Sequence, residues 1–234
     1  MYRLLAAVGS LAILSGSAFA ADVTAPSNDW TGFYIGGNVN WNFLWTGITT
    51  PAQNTQLAGY FPAYDYDNQS GNGFGGGLQA GYDYQINNLV LGIQVSGVIT
   101  DVNSDKDFGG EVLGTSLNDY GTLTGRVGYL LRPDFLTYVK GGAAGGSFDY
   151  TDNNSVDDFK GDGSEWRTGW TVGGGIEYKL AQNWSAFAEY NYVDFGKQTT
   201  KLSYSGPGAF WGDTYKIDYD QNFSSVTLGV NYRF

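Results

Sequence analysis

The sequence predicts an all-β fold, an eight-stranded antiparallel up-and-down transmembrane β-barrel, and three observations carry that prediction. Eight segments of roughly a dozen residues alternate apolar and polar side chains with period two, the mark of a strand with one apolar face. The connections between them alternate long and short. Along the apolar faces, aromatics gather at two levels with aliphatics between, as the two interfaces of a bilayer select.

Residues 1–20 read as a secretory leader. Arg3 gives a positive start, Leu4 to Leu14 an apolar run too short to span a bilayer as a helix, and Ala18-Phe19-Ala20 a small-residue cleavage site. Residues 21–29 read as a short periplasmic segment and residues 30–234 as the barrel domain. The first strand is expected over Thr31 to Phe43, with Phe33, Ile35, Val39, Trp41 and Phe43 on one face and Tyr34, Asn38, Asn40 and Asn42 on the other. The second, Gly73 to Tyr84, sets Phe74, Leu78, Ala80, Tyr82 and Tyr84 against Gly75, Gly77, Gln79, Gly81 and Asp83. The third, Leu89 to Thr100, follows a tight connection and sets Leu91, Ile93 and Val95 against Val90, Gln94 and Ser96.

The fourth strand is expected over Asp119 to Leu131 and the fifth over Leu136 to Phe148, where Lys140 is placed inside and Val139 outside. The sixth, Trp166 to Leu180, puts Trp170, Val172, Ile176 and Tyr178 opposite Thr171, Glu177 and Lys179. The seventh runs from Trp184 to Phe195. The eighth, Asn222 to Phe234, sets Val226, Leu228, Val230, Tyr232 and Phe234 against Ser225, Thr227, Asn231 and Arg233. Residues 44–71, 101–118, 149–165 and 196–221 read as long polar loops; 85–88, 132–135 and 181–183 read as tight turns. All five prolines fall outside the strands, as ladder hydrogen bonding requires. Short turns on one side and long loops on the other is the plan of an outer-membrane barrel. A soluble sandwich or lipocalin-like barrel would share the alternation but bury the apolar face; the leader, the two aromatic levels and the closing Phe234 favour the membrane reading.

Composition narrows the chemistry. The chain has no Cys, no His and a single Met, which excludes disulfides, His-based triads and His or Cys zinc sites. Glycine, at 36 residues, is about twice the usual share, and aromatics make up 17%, against disorder and in favour of many short strands. The formal charge of −11 becomes −12 once Arg3 leaves with the leader, which argues against nucleic acid or anionic headgroups as partners.

Asp29-Trp30-Thr31-Gly32-Phe33-Tyr34-Ile35-Gly36-Gly37-Asn38, Tyr192-Val193-Asp194-Phe195-Gly196 and Gly229-Val230-Asn231-Tyr232-Arg233-Phe234 resemble the small outer-membrane immunogenic proteins of alphaproteobacteria, relatives of the OmpA-type eight-stranded barrels. The resemblance is strongest in the strands and lost in the loops. It implies a porin-like surface barrel among outer-membrane lipids and lipopolysaccharide, delivered by the barrel-assembly machinery, with Tyr232 and Phe234 as the assembly signal. It also implies attachment to peptidoglycan through Ala21 followed by Asp22.

The candidate site is a charge network in the lumen made of Arg126, Lys140, Glu177 and Glu189, from four consecutive strands. Turn geometry places Arg126 opposite Gly141, beside Lys140, and Glu189 opposite Gly175, beside Glu177. Two carboxylates could act as a catalytic pair, but two cations on two anions inside a small barrel read as internal salt bridges. The acid-rich stretch 149–165 lacks the order of a calcium loop, since Val156 takes a ligand position. No cofactor and no enzymatic role are expected. The leading reading is an envelope structural component and surface antigen. The alternatives are a narrow porin, or an adhesin or ligand receptor with specificity in 44–71 and 196–221.

Overall fold

The computed structural model describes residues 29–55, 59–61, 63–65, 69–107, 111–154, 159–205 and 215–234. The expected leader and the Ala21-Asp22 pair lie outside the described residues. Eight long strands form a closed antiparallel ring: β1 (Gly32–Thr50), β2 (Gln69–Ile86), β3 (Leu89–Asp107), β4 (Glu111–Arg132), β5 (Phe135–Asn154), β6 (Phe159–Lys179), β7 (Trp184–Ser205) and β8 (Tyr215–Arg233). Each pairs with its neighbour in sequence, and β8 closes on β1 in a register running from Tyr34↔Arg233 to Thr49↔Asp218. Three short pieces lie between β1 and β2: Gln53–Thr55 pairs with Gly59–Phe61, and Tyr64–Asp65 caps the top of β1.

The short connections stay at one end. Asn87 adopts a φ of 55°, a left-handed conformation that asparagine tolerates, and so turns Ile86 back onto Leu89 within two residues. Outward side chains in the half nearest these turns are apolar and exposed, among them Ile93 at 64%, Val139 at 64% and Leu123 at 62%. Phe33, Tyr84, Tyr129, Trp184 and Phe234 ring the turn end; Trp41, Phe74, Trp166, Trp170 and Tyr190 ring the band's far edge.

The strands are much longer than a bilayer needs. They run 18 to 22 residues, whereas about 9–11 tilted residues cross the hydrocarbon. The segments expected as long loops are largely strand: β1 continues to Thr50, β3 to Asp107, β5 to Asn154 and β7 to Ser205, with β4, β6 and β8 rising to meet them. The correction has a clear cause. Period-two alternation persists there, but the faces exchange polarity. On β3 the exposed Asp101, Asn103 and Asp105 alternate with the buried Val102 and Ser104, and on β8 Lys216 and Asp220 point out while Ile217, Tyr219 and Gln221 point in. Polar residues at every second position read as loop in the sequence because the apolar ones between them face inward. In the wall between β6 and β7 the ladder breaks after Asp194↔Trp170 and resumes at Ser203↔Asp162; Gly196, with φ +65°, is pinned there by its N–H donating to Asp194 Oδ1 at 2.7 Å.

This reversal sets the membrane's edge and makes a prediction. Ile93→Arg, in the exposed apolar band, is expected to destabilise the protein in vesicles by about 2–4 kcal/mol. Thr151→Arg, on the polar wall beyond, is expected to change little. Urea titrations of the refolded variants in lipid vesicles check both; equal costs would put the boundary elsewhere.

Candidate functional site

The inward residues form three layers. At the turn end, Trp30 is fully buried with Val90, Leu130, Leu136 and Tyr138. Its backbone N–H donates to Gln85 Oε1 at 2.8 Å and its indole N–H to the Pro133 carbonyl at 3.1 Å, so the chain enters β1 across the mouth of the barrel and closes it. Immediately above lies a charged layer. Arg126 on β4 grips Asp83 of β2 with two donors, its Nε reaching Oδ1 at 2.8 Å, and donates Nη1 to Glu177 Oε2 on β6 at 3.2 Å. Arg233 of β8 donates Nη2 to Asp83 Oδ2 at 2.8 Å and Nη1 to the Trp30 carbonyl at 2.5 Å. Lys140 of β5 donates to Glu189 Oε2 on β7 at 2.5 Å, and the Tyr138 hydroxyl to Glu189 Oε1 at 2.6 Å.

Burying ions is costly unless their remaining valences are met. Here they are. Glu177 Oε1 accepts from Ser185 Oγ at 2.5 Å and Asn231 Nδ2 at 2.9 Å. The Arg126 guanidinium lies 4.7 Å from the Tyr34 ring centre and 5.0 Å from that of Tyr138; Arg233 lies 5.3 Å from Trp30 and 5.1 Å from Tyr34. Planar delocalised cations suit such ring faces better than an ammonium would. A relay runs from Tyr34 through Gln94 and Gln79 to Asn231, in steps of 3.2, 3.2 and 2.8 Å, and so to Glu177. Gly92 has to lack a side chain, because a Cβ there would strike Asp83 Oδ1; at Gly175 it would meet Glu189 Cγ and the Tyr138 hydroxyl at 2.9 Å.

Above the charges sits a polar cavity of about 30 Å³, lined by residues including Asn38, Gln79, Gln94, Lys140, Glu189 and Asn191. That is room for a water or two. The third layer borders it through Val98, Tyr120 and Val193. Leu44, Ile48, Val98, Val102, Leu117, Tyr120, Phe148, Val193, Phe195 and Phe223 belong to one buried cluster in the upper lumen. Within it Arg167 is fully buried, 5.3 Å from the Tyr150 ring centre, and donates to the Tyr219 carbonyl at 3.1 Å. Burial pushes the Tyr150 hydroxyl up from its ordinary pKa and keeps it a donor to Gln221 Oε1 at 2.9 Å.

Among the four expected network residues, Arg126 meets Glu177 and Lys140 meets Glu189. The expected partner of Arg126 across the β4–β5 pair requires correction. Arg126 faces Lys140 itself, not Gly141. The turn does pair Arg132 with Phe135, but a bulge at Leu131 shifts the rungs from Leu130↔Leu136 to Asp119↔Ser147 by one residue. Glu189 does face Gly175, while Glu177 faces Phe187. Asp83 and Arg233 join the network and Arg167 lies apart in the upper layer; sequence reasoning misses all three, although each carries lumen parity, and a search of every charged residue at that parity finds them. The plug role of Trp30 carried no such signal, since it precedes the first alternating segment. Tyr232 and Phe234 lie outside, their rings 5.2 Å apart and Tyr232 5.2 Å from Trp184. Among the described residues no group of three or more acidic side chains could hold a metal ion.

A closed antiparallel ring with an apolar belt between aromatic edges and a polar, ion-paired interior defines a β-barrel of the bacterial outer membrane. Residues 6–234 match the family model for the outer membrane protein beta-barrel domain, and the chain belongs to that family. It is 30% identical over 249 residues to the 31 kDa outer-membrane immunogenic protein of Brucella melitensis biotype 1, covering 95% of this chain and 96% of the relative. Identity to the 22 kDa outer membrane protein of Rhizobium leguminosarum bv. viciae is 30% over 214 residues, covering 89% and 80%. The crystal structure of the outer membrane protein OprG from Pseudomonas aeruginosa shares the fold, with a TM-score of 0.51 at 16% identity over 87% of this chain and 96% of that one. The protein resides in the outer membrane.

Proposed function

We propose that this protein is a non-enzymatic, non-conducting barrel that serves as a structural component of the envelope and as a surface antigen. The observation that carries the reading is the filled lumen: a tryptophan plug, an ion-paired layer and an apolar core stand in series. Eight strands leave space that side chains can fill. The carboxylates that a hydrolytic reading would use are held by cations inside the wall, and Glu189 borders only the cavity of about 30 Å³. Relatives named as immunogenic proteins support the antigen role.

The same reading has the polar wall above the belt meeting the saccharide of lipopolysaccharide, and Tyr232 and Phe234 read by the barrel-assembly machinery. Their outward position in the turn-end belt supports the latter. Residues 1–20 are the leader in this proposal and 21–29 the periplasmic segment. Asp29, whose carbonyl accepts from Lys179 Nζ at 2.8 Å, is its described end. The α-amino group of Ala21, followed by Asp22, would join peptidoglycan there; a muropeptide on an Ala21-initiated peptide from purified sacculi is the test.

Planar-bilayer recordings on refolded protein test the main reading. No stepwise single-channel conductance is expected. Reproducible ohmic steps from protein whose unheated gel mobility shows it folded would replace the structural reading with the narrow-porin one.

A further inference from the structure

Among the described residues, five of the six buried ions in the charged layer arrive on strands β2 to β7: Asp83, Arg126, Lys140, Glu177 and Glu189. Lys140 and Glu189 satisfy each other. Asp83 and Glu177 then share Arg126 alone, which leaves the layer one negative charge in excess. Lys179 is on the same face but half-buried at the rim, 4.8 Å from the Trp30 ring centre, and it bonds the Asp29 carbonyl rather than a carboxylate. The sixth ion, Arg233, sits on β8, and its own rung is Tyr34↔Arg233, the turn-end rung of the seam that closes the ring.

That seam differs in kind from the other seven. It joins the first strand to the last, while every other pairing joins sequence neighbours. The loop to be closed spans the whole barrel, so its entropic cost is met last. From the end of β8, Arg233 reaches three other strands or their approaches at once. It holds the Trp30 carbonyl leading into β1 at 2.5 Å and Asp83 on β2 at 2.8 Å, and comes within 3.8 Å of Glu177 on β6. Asn231, one inward position earlier, bridges Gln79 and Glu177 at 2.8 and 2.9 Å. Backbone bonds then lock the end: Arg233 N–H to the Asn183 carbonyl at 2.8 Å and Phe234 N–H to the Phe33 carbonyl at 3.0 Å.

We infer that Arg233 is the closing counter-charge of the barrel: its arrival with β8 neutralises the Asp83–Glu177 pair, so that ring closure and charge balance are one event. The β8 terminus then carries two separable functions on its two faces. Tyr232 and Phe234 face lipid, and Arg233 faces the lumen. A ring that closes without Arg233 in place buries an uncompensated carboxylate in its interior and is penalised for it. A correctly registered β8 is rewarded, because a one-residue slip would turn Arg233 outward.

A charge-balance cycle tests this with purified protein refolded from urea into phosphatidylcholine vesicles, read by unheated gel mobility and by folding rate. Arg233→Gln, which keeps hydrogen-bonding atoms and loses the charge, is expected to lower the folding equilibrium by about 100-fold or more, the usual scale for an orphaned buried charge. Asp83→Asn alone leaves an excess positive charge and is expected to be defective too. The double variant restores neutrality and is expected to fold at least about tenfold better than Arg233→Gln. The inference is overturned if Arg233→Gln folds as the parent does. It is also overturned if the double variant is no better than Arg233→Gln, since Arg233 would then act through shape alone.

Discussion

Alanine at Phe148 or Phe223 is expected to cost about 3–5 kcal/mol each, the range for large aromatics cut from a packed core. Both are fully buried in the upper lumen. Phe223 meets the Tyr120 ring edge-on at 4.8 Å and lies 6.1 Å from Phe195; Phe148 meets Phe195 edge-on at 5.1 Å and lies under Arg167. An interior filled with water would make these changes nearly silent, so the measurement separates a packed extracellular half from an open vestibule. Urea unfolding in vesicles gives the cost, and limited proteolysis shows where it falls. The variants are expected to be cut in the segments around 101–118 and 196–221 while the membrane-embedded half stays resistant. Losses below about 1 kcal/mol would mean that the cluster is not packed.

Arg126→Ala is the second large effect, about 3–5 kcal/mol, because it leaves Asp83 and Glu177 buried with only Arg233 between them. The control is Arg132→Ala. Arg132 also bonds a carboxylate, Asp134 at 2.6 Å, and that bond holds the Asp134 carboxyl below its ordinary pKa, yet the pair sits in water at the Pro133 turn. Screened pairs contribute little, so no measurable change is expected there. If the two substitutions are equally mild, the lumen layer is hydrated enough to make its ions cheap, and the closing-charge inference loses its basis.

The sequence made the membrane half legible because there one face of each strand must be apolar for a reason independent of packing. Bilayer contact forces Ile93, Val95, Val127, Val172 and Leu228 outward whatever lies inside. The extracellular half reads as loop in the sequence because its order depends on partners across the lumen. Tyr150 and Tyr219, with ring centres 4.4 Å apart, come from strands that no local pattern relates. Among the charged residues, Arg126 and Lys140 were found by parity. Their mutual register was off by one because a bulge at Leu131 leaves no trace in alternation so close to a turn. Asp83 and Arg233 stood at the right parity near strand ends, where a charge reads as ordinary rim decoration. Only closure of the ring brings them together.

The reversal of faces above the belt has a consequence for immune recognition. An antibody covers about 800 Å², a patch roughly 28 Å across, and strands lie about 4.8 Å apart, so a footprint on the wall spans several strands. It takes every second residue from each: Asp101, Asn103 and Asp105 of β3 beside Ser116 and Asn118 of β4 and Thr151 of β5. No continuous peptide reproduces that surface, since one cut from β3 displays Val102 and Ser104 as freely as their exposed neighbours. Antibodies against this wall are therefore conformational, and boiling, which opens the ring, is expected to abolish their binding while leaving any antibody against a single-strand peptide unaffected.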